Sequence, residues 1–275
     1  MINKHLRPSL VLIFAFIAFW VVYAVWFGIR EANKIASDYP GIKKDGVLRV
    51  CGEEDLFSFY KNNDTSYGFY YEMAKAFADR HHLQLVYMGE PSLNNRLKML
   101  QDNKFDILSG PLSVIMGLRN QVDFTKSIIE SKLVLVQRKS SENNPDKVVR
   151  NQVDFRGKRI YICENTAYEE RLHHLASEIS DTLYIQTLMG FNSERMIAQV
   201  AAGLIDYAVC DKQVAKSFRN KYPNIDVETP VGFNQMQAWA VKPDKKILLD
   251  SLNQFIVDFK KTPEFTKLIQ KYIAN

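Results

Sequence analysis

The sequence predicts an α/β protein of two similar lobes that follow a membrane-spanning helix. Short apolar runs typical of strands alternate with amphipathic helical stretches in a β-α-β-α-β order, which indicates parallel sheets. The same order occurs twice, and a polar stretch at residues 140–152 separates the two units. One further strand pattern and two helical patterns follow the second unit, and these must pack on one of the lobes.

The first thirty residues are the most apolar part of the chain. Residues 8–29 carry no charge, and a helix of this length spans about 33 Å, which matches the hydrocarbon core of a bilayer. Lys4 and Arg7 precede the run, so the positive-inside rule puts the N-terminus in the cytoplasm. We expect an uncleaved anchor at residues 1–29 and a polar tether at residues 30–45, with the rest of the chain in the periplasm. A signal peptide cleaved after Ser37 is the alternative.

The first α/β unit begins at Gly46. The pattern "GVLRVCG" predicts a strand, and "YYEMAKAFADRHH" predicts a helix because its apolar residues recur at helical spacing. "LQLVYMG" predicts a strand, "SLNNRLKMLQDN" a helix and "FDILSG" a third strand. We assign residues 46–138 to the first part of lobe one.

The second unit repeats this order over residues 139–229, which we assign to lobe two. Its strand patterns are "KRIYIC", "TLYIQTL" and "DYAVCD", and its helical patterns are "AYEERLHHLASEI" and "NSERMIAQVAAGL". The later strand pattern "MQAWAVKPD" and two helices, within residues 230–275, would return to lobe one. That strand and the run "ESKLVLVQRK" would then form a two-strand hinge. Trp239 lies in the second hinge strand, so we expect its fluorescence to report lobe closure.

Composition and charge limit the classes of partner. The formal net charge of +5 is mild and the basic residues are dispersed, so nucleic acid is not an expected partner. The three cysteines, Cys51, Cys163 and Cys210, each end a strand pattern, which predicts either three buried thiols or a bridge between the last two. The histidines occur in adjacent pairs and there is no C-x-x-C, so we expect no metal and no cofactor.

Seven segments between Gly46 and the C-terminus carry a family resemblance. In order and spacing they resemble the bacterial extracellular solute-binding proteins of the polar-amino-acid type. Within that class they are similar to the solute-binding-like domain that precedes the catalytic domain of membrane-bound lytic transglycosylase F. The segments are "LRVCGEEDLFSFY", "YGFYYEMAKAFA", "LKMLQDNKFDILSG", "NQVDFTKSIIESKLVLV", "DFRGKRIYICENTAYEE", "AQVAAGLIDYAVCDKQVA" and "PEFTKLIQKYIAN".

The resemblance implies a periplasmic-binding-protein-like (type II) Venus flytrap that encloses a small ligand between its lobes. In lobe one, the turn with Ser109, Gly110 and Ser113 would present polar groups to the ligand. Arg119 would pair with a ligand carboxylate, a role that suits the planar guanidinium. Phe57 would cover the ligand; the alternative is that its ring belongs to the core of the lobe.

In lobe two the resemblance implies two further ligand contacts. Thr166 lies at the start of a predicted helix, where free N–H groups favour an anion. Asp211 would accept a hydrogen bond from the ammonium group of the ligand, or it would only cap the helix that follows.

The sequence departs from the family pattern at the ligand turn. Pro111 follows Gly110 and has no N–H, and Arg119 lies nine residues after Gly110 where the family has seven. Counted back from "QVDF", the position of the family arginine falls on Leu118. Arg119 is therefore either a displaced ligand contact or a solvated arginine at a helix end.

Three functions fit this pattern. The first is a membrane-tethered periplasmic receptor that binds an amino acid or a peptide-like solute, for an inner-membrane permease or for sensing. The second is a non-catalytic regulatory module that binds cell-wall fragments or a protein partner. The third is a dehydratase-like enzyme that uses a carboxylate of the cleft, from Glu53, Glu54, Asp55 or Glu164. We expect no lytic transglycosylase activity from these 275 residues, because Glu130-Ser131 lacks the context of that catalytic signature.

Overall fold

The computed structural model describes residues 16–24, 26, 28, 38–114, 116–140, 148–164 and 166–274, with only the backbone at residues 116, 166 and 167. Residues 16–24 are helical, and the other parts of the predicted anchor fall mostly outside the described residues. Among the residues that are described, no helix is both long enough and apolar enough to cross a membrane.

Lobe one is built on a five-stranded mixed sheet in the order β4-β1-β5-β14-β6. Its strands are β1 (Val47–Gly52), β4 (Gln84–Gly89), β5 (Ile107–Leu108), β6 (Asp123–Phe124) and β14 (Ala240–Val241). β1 pairs in parallel with β4 and β5, whereas β14 runs antiparallel to β5 and β6. The helices α2 (Phe69–Arg80) and α3 (Leu93–Gln101) connect the parallel strands, as the apolar periodicity predicts. A short hairpin of β2 (Tyr60–Asn62) and β3 (Thr65–Tyr67) precedes α2.

Lobe two has the equivalent sheet in the order β10-β9-β11-β8-β12. Its strands are β8 (Leu133–Arg138), β9 (Arg159–Cys163), β10 (Tyr184–Leu188), β11 (Ala208–Asp211) and β12 (Ile225–Asp226). Its helices are α4 (Thr166–Glu178), α5 (Ser193–Ala201) and α6 (Lys212–Ser217). β8 pairs with β11 and β12, so the predicted lobe boundary at residue 138 is wrong by one strand.

The two lobes are joined by paired strands. β7 (Ile129–Ser131) runs antiparallel to β13 (Gln235–Gln237) in a separate two-stranded sheet. β7 leads into β8 of lobe two, and β13 leads back to β14 of lobe one. The predicted "ESKLVLVQRK" strand is therefore two strands separated by Lys132, and only the first belongs to this hinge.

The C-terminal helices complete lobe one. α7 (Lys246–Phe259) buries its apolar face, where Phe255 packs edge-on against Phe77 of α2 at 5.3 Å between ring centroids and stacks on Trp239. α8 (Pro263–Tyr272) places Phe265 against Phe69 at the start of α2. Trp239 is fully buried in lobe one, two residues beyond the hinge strand.

The predicted tether is in part a helix of lobe one. Tyr39–Asp45 form α1, which buries Tyr39 and Ile42. The carboxylate of Asp38 caps this helix by accepting from Tyr39 N–H at 2.7 Å. It also accepts from the N–H groups of Ile247 and Leu248 in the first turn of α7, at 2.7 and 3.0 Å. Because one buried carboxylate serves two helix ends, residues 38–45 belong to the folded lobe.

Candidate ligand site between the lobes

The two lobes touch through direct hydrogen bonds across the space between them. We call this space the cleft; Glu53, Arg96, Glu164, Ser193 and Asp211 border it. Glu164, after β9 of lobe two, accepts hydrogen bonds from two side chains of lobe one. Ser92 Oγ donates to it at 2.9 Å, and Asn94 Nδ2 donates to its other oxygen.

A second set of contacts brings α5 of lobe two onto the turn after β1. Ser193 Oγ donates to Glu53 Oε1 at 3.0 Å, and both residues are buried. Asn192, which caps α5, donates through Nδ2 to the carbonyl of Glu54 at 3.2 Å. The turn after β1 is therefore held by the first turn of a helix from the opposite lobe.

Glu53 also faces a buried cation of its own lobe. Arg96, from α3, places Nη2 3.4 Å from Glu53 Oε2, and the Arg96 side chain is only 5% exposed. A single contact at this distance is longer than the 2.7–2.9 Å typical of a charge-assisted hydrogen bond. Charges of both signs are therefore buried together, with incomplete hydrogen bonding between them.

Asp211 is connected through the hinge to lobe one. Its Oδ1 accepts from Gln213 N–H and Val214 N–H, so it caps α6. Its Oδ2 accepts from Gln237 Nε2 at 2.5 Å, and Gln237 Oε1 accepts from the hydroxyl of Tyr70 at 2.5 Å. Burial raises the pKa of Asp211 to about 6, although these donors lower it in part. Both oxygens of Asp211 thus have partners within the protein.

Asp55 is a second buried carboxylate near Glu53. Its Oδ1 accepts from the N–H groups of Phe57 and Ser58, both at 2.7 Å, while its Oδ2 is buried without a partner. Burial and the neighbouring charge of Glu53 raise the pKa of Asp55 to about 8. The Asp55 side chain therefore shapes the turn after β1, and its burial favours the protonated form.

Several buried polar atoms around the cleft have no hydrogen-bond partner among the described residues. They include Arg96 Nε and Asp55 Oδ2. Buried polar groups are nearly always hydrogen-bonded in folded proteins, so a group of unpaired ones indicates a place for a polar ligand or for water.

The structure brings three of the predicted site residues of lobe one close to the cleft or the hinge. Ser109 and Gly110 follow β5, and a Cβ atom on Gly110 would lie 3.4 Å from Arg96 Nη1 and 3.5 Å from the backbone nitrogen of Glu53. Gly110 has a φ of +122°, a backbone conformation that favours glycine. Ser113 instead donates through Oγ to Gln235 of the hinge at 2.7 Å.

Two predicted contacts of lobe one lie elsewhere. Phe57 is fully buried in the core, stacked on Phe69 at 5.4 Å, as the core alternative predicts. Arg119 is exposed and lines a surface depression together with Lys246 and Leu249 of α7. The family arginine position, Leu118, is a buried apolar residue of lobe one.

In lobe two, Thr166 begins α4 as predicted, and the structure describes only its backbone. Asp211 does cap a helix through Oδ1, and its other oxygen, Oδ2, accepts a hydrogen bond from Gln237.

Glu53 and Arg96 border the cleft and Gln237 links Asp211 to lobe one, yet the sequence pattern does not assign these three residues to the ligand site. In the sequence, Glu53 stands out only as a possible carboxylate for a dehydratase. A signal for Arg96 exists in the helical pattern, because this cation lies three residues after Leu93 and next to Leu97, on the face that the helix buries. A buried arginine is uncommon unless it has a partner, so its position alone justifies a search for one.

Cys51, Cys163 and Cys210 are buried and free, as the first of the two alternatives predicts. Burial raises the pKa of the Cys51 thiol to about 11. Among the described residues, no group of three or more His, Cys, Asp or Glu side chains could hold a metal ion.

Known proteins share both the sequence pattern and the fold. The chain is 26% identical, over 258 residues, to a membrane-bound lytic murein transglycosylase F of Desulfosudis oleivorans, with 92% of this chain and 54% of that protein covered. The chain spans about half the length of the curated relatives that it matches.

Solved structures agree on the fold. A mutant of the arginine-binding protein of T. maritima has a TM-score of 0.72 at 22% identity, covering 86% of this chain and 99% of that one. An ancestral arginine-binding protein, solved with arginine and with glutamine, has a TM-score of 0.70 in both forms, at 20% and 22% identity. These pairs cover 83% and 84% of this chain and 98% and 99% of the other. The architecture described above is thus the type II periplasmic-binding-protein fold.

The family model for "Bacterial extracellular solute-binding proteins, family 3" matches residues 48–275, which include both sheets, the hinge and every residue that borders the cleft. The chain belongs to this family.

Proposed function

We propose that this chain binds an amino acid or a small peptide-like solute in the cleft between its lobes. The observation that carries the proposal is the buried pair of Glu53 and Arg96 at the junction of the two lobes, with unpaired polar atoms around it. Buried opposite charges with incomplete hydrogen bonding suit the ammonium and carboxylate groups of a zwitterion. Structural neighbours of the same fold are arginine-binding proteins, and one of them was solved with arginine and with glutamine.

The cellular setting that we propose is the periplasmic face of the cytoplasmic membrane. The uncharged run at residues 8–29 would be the anchor, and residues 16–24 of that run are helical. An inner-membrane permease that accepts the solute, or a sensor that responds to lobe contact, would be the partner.

A specific observation also favours the regulatory alternative. The lobes already meet through protein-to-protein hydrogen bonds, and both oxygens of Asp211 are taken by α6 and by Gln237. A module that binds a cell-wall fragment or an envelope protein does not need Asp211 to be free. The relatives that carry the name lytic murein transglycosylase F link this sequence type to the cell wall.

We infer binding without chemistry as the activity of the cleft. A dehydratase would need a carboxylic acid that can reach the ligand. Burial raises the pKa of Asp211 and, more strongly, that of Asp55. Its Oδ1 is held by two N–H groups of its own turn, while Glu164 is held by Ser92 and Asn94. Mass spectrometry of the recovered ligand tests this point, because a dehydratase would return a product lighter by one water.

The binding proposal is tested on the full chain, purified in a mild detergent. Thermal shift and calorimetry would be run against the twenty L-amino acids, short peptides and muropeptides. A ligand present at about 100 times its Kd stabilises the folded state by about 2.7 kcal/mol, a shift that is easily detected. Binding of an amino acid supports the receptor, binding of muropeptides alone supports the regulatory module, and no binding in either set contradicts both small-ligand proposals.

Lobe movement can be followed in the same preparation through Trp239. Trp20 and Trp26 would be replaced by Phe, which leaves Trp239 as the single tryptophan of the chain. Because Trp239 is two residues from the hinge glutamine and stacks on Phe255, we expect its emission to change when a ligand alters the hinge.

A further inference from the structure

Arg96 is a buried cation whose hydrogen bonds are mostly unused in the described structure. Its side chain is 5% exposed, its one ion-pair contact is the 3.4 Å approach to Glu53, and its Nε has no partner. A guanidinium group has five N–H donors arranged as a fork that fits a carboxylate with two parallel hydrogen bonds. Because one long contact replaces that fork, Glu53 compensates the charge of Arg96 but leaves most of its donors unsatisfied.

The position of this guanidinium is the second observation. A Cβ atom on Gly110 would lie 3.4 Å from Arg96 Nη1, so the cation rests against the turn that follows β5. Ser109, in the same turn, has a buried hydroxyl that faces the hydroxyl of Tyr87. The cation therefore lies at the turn where an anionic group would be bound.

We propose that Arg96 binds the carboxylate of an amino-acid ligand in the cleft, in place of Arg119. This inference rests on the proposed function and adds the residue that sets ligand selectivity. The ligand carboxylate occupies the donors that Glu53 leaves free, and Glu53 stays beside it as the neighbouring negative charge. A ligand without a carboxylate leaves the guanidinium as it is in the present structure.

Arg119 does not meet the same conditions. It is exposed, and it lines a depression formed with Lys246 and Leu249, none of which borders the cleft. An exposed arginine gains little from an ion pair because water competes for its donors. The two additional residues between Gly110 and Arg119 thus move the arginine of the family pattern away from the turn, and Arg96 from α3 takes its place.

The experiment compares an amino acid with the amine that lacks its carboxylate. For the L-amino acid that binds the wild-type full chain most tightly, calorimetry gives Kd for it and for its decarboxylated amine; for arginine this amine is agmatine. The ratio of the two Kd values measures the contribution of the carboxylate. Arg96→Met is the test variant, Arg96→Lys keeps the charge without the fork, and Arg119→Met is the matched control.

We expect the wild type and Arg119→Met to bind the amino acid about 10- to 100-fold more tightly than the amine. In Arg96→Met the ratio should fall close to 1, and in Arg96→Lys it should lie between these values. An unchanged ratio in Arg96→Met overturns the inference while the proposed function stands. A ratio that collapses in Arg119→Met overturns it as well. If the wild type binds no amino acid at all, the proposed function fails first and the inference fails with it.

A second variant protects the test against misfolding. Arg96→Met alone leaves Glu53 as a buried charge without its cation, which is destabilising. Glu53→Gln combined with Arg96→Met removes both charges, and urea unfolding shows whether this protein folds. The Kd ratio should again be close to 1, since only Arg96 distinguishes the amino acid from its amine; a ratio at the wild-type value would contradict the assignment.

Discussion

Replacing Gln237 by Met should separate the lobes. Gln237 is 1% exposed and bonds at 2.5 Å both to the Tyr70 hydroxyl of lobe one and to Asp211 of lobe two. Methionine fills a similar volume without polar atoms, so two buried groups lose their partner in the state with touching lobes. Each such group costs about 1–3 kcal/mol, and the cost disappears when the lobes separate and water reaches both groups.

The expected change is therefore at least about 2 kcal/mol, which moves the equilibrium about 30-fold toward separated lobes. Spin labels on Lys98→Cys in α3 and Arg195→Cys in α5 would measure the distance between the lobes by pulsed electron paramagnetic resonance. Both positions are exposed, whereas the three native thiols are buried and should not react. We expect the distance distribution to gain a longer component in the Gln237→Met protein.

Gln235→Met is the matched control, because Gln235 belongs to the same hinge strand but its side chain accepts a hydrogen bond from Ser113 of lobe one, at 2.7 Å. Its distance distribution should stay like that of the wild type. If Gln237→Met also leaves the distribution unchanged while the protein remains folded, the hydrogen bonds through Gln237 do not hold the lobes together and the reasoning is refuted.

Three further predictions concern stability. The folded-state pKa of Asp55, about 8, lies above its ordinary value, so the folded protein holds a proton there that the unfolded chain releases above about pH 4. The free energy of unfolding should therefore decrease by up to about 1.4 kcal/mol per pH unit between pH 4 and 8, and urea titrations of Asp55→Asn should show a flatter pH profile. Asp38→Ala should cost about 2–3 kcal/mol in urea unfolding because two helix ends lose their acceptor, whereas Asp258→Ala, on the exposed side of α7, should change stability by less than about 0.5 kcal/mol. Gly68→Ala should sharply lower the melting temperature, since the φ of +129° is unfavourable for alanine and the new Cβ would lie 2.3 Å from the carbonyl oxygen of Ser58; a variant that melts like the wild type would contradict the geometry.

Local pattern was enough to predict most of the fold. The helix with Tyr70, Met73, Ala74 and Phe77 is α2, and all four side chains are fully buried, because helical periodicity depends only on near neighbours. The sequence predictions were wrong where the structure depends on which distant strand or helix a segment pairs with. Nothing in "ESKLVLVQRK" shows that β7 pairs with the hinge while β8 pairs with lobe two. The cap that Asp38 provides to α7 joins residues more than two hundred positions apart.

The candidate site was harder to predict for the same reason. Spacing along the chain led to Arg119, whereas the buried cation at the turn is Arg96, delivered from an earlier helix by the packing of α3. Asp211 was correctly expected at a helix start, but its bond to Gln237 depends on the path of the returning strand. Ligand contacts in a two-lobe protein combine residues from distant segments. A sequence motif can therefore predict the turn after β5, but it does not predict which distant side chain packs against that turn.

The double cap at Asp38 has a mechanical consequence. Because α1 is fixed to α7, the chain belongs to lobe one from Asp38 onward, only nine residues after the apolar N-terminal run. If that run is held in a bilayer, lobe one is the stationary body and the whole hinge motion appears as a displacement of lobe two relative to the membrane plane. A neighbouring membrane protein would then sense ligand occupancy through the position of lobe two, whose α5 leaves the turn after β1 when the lobes separate.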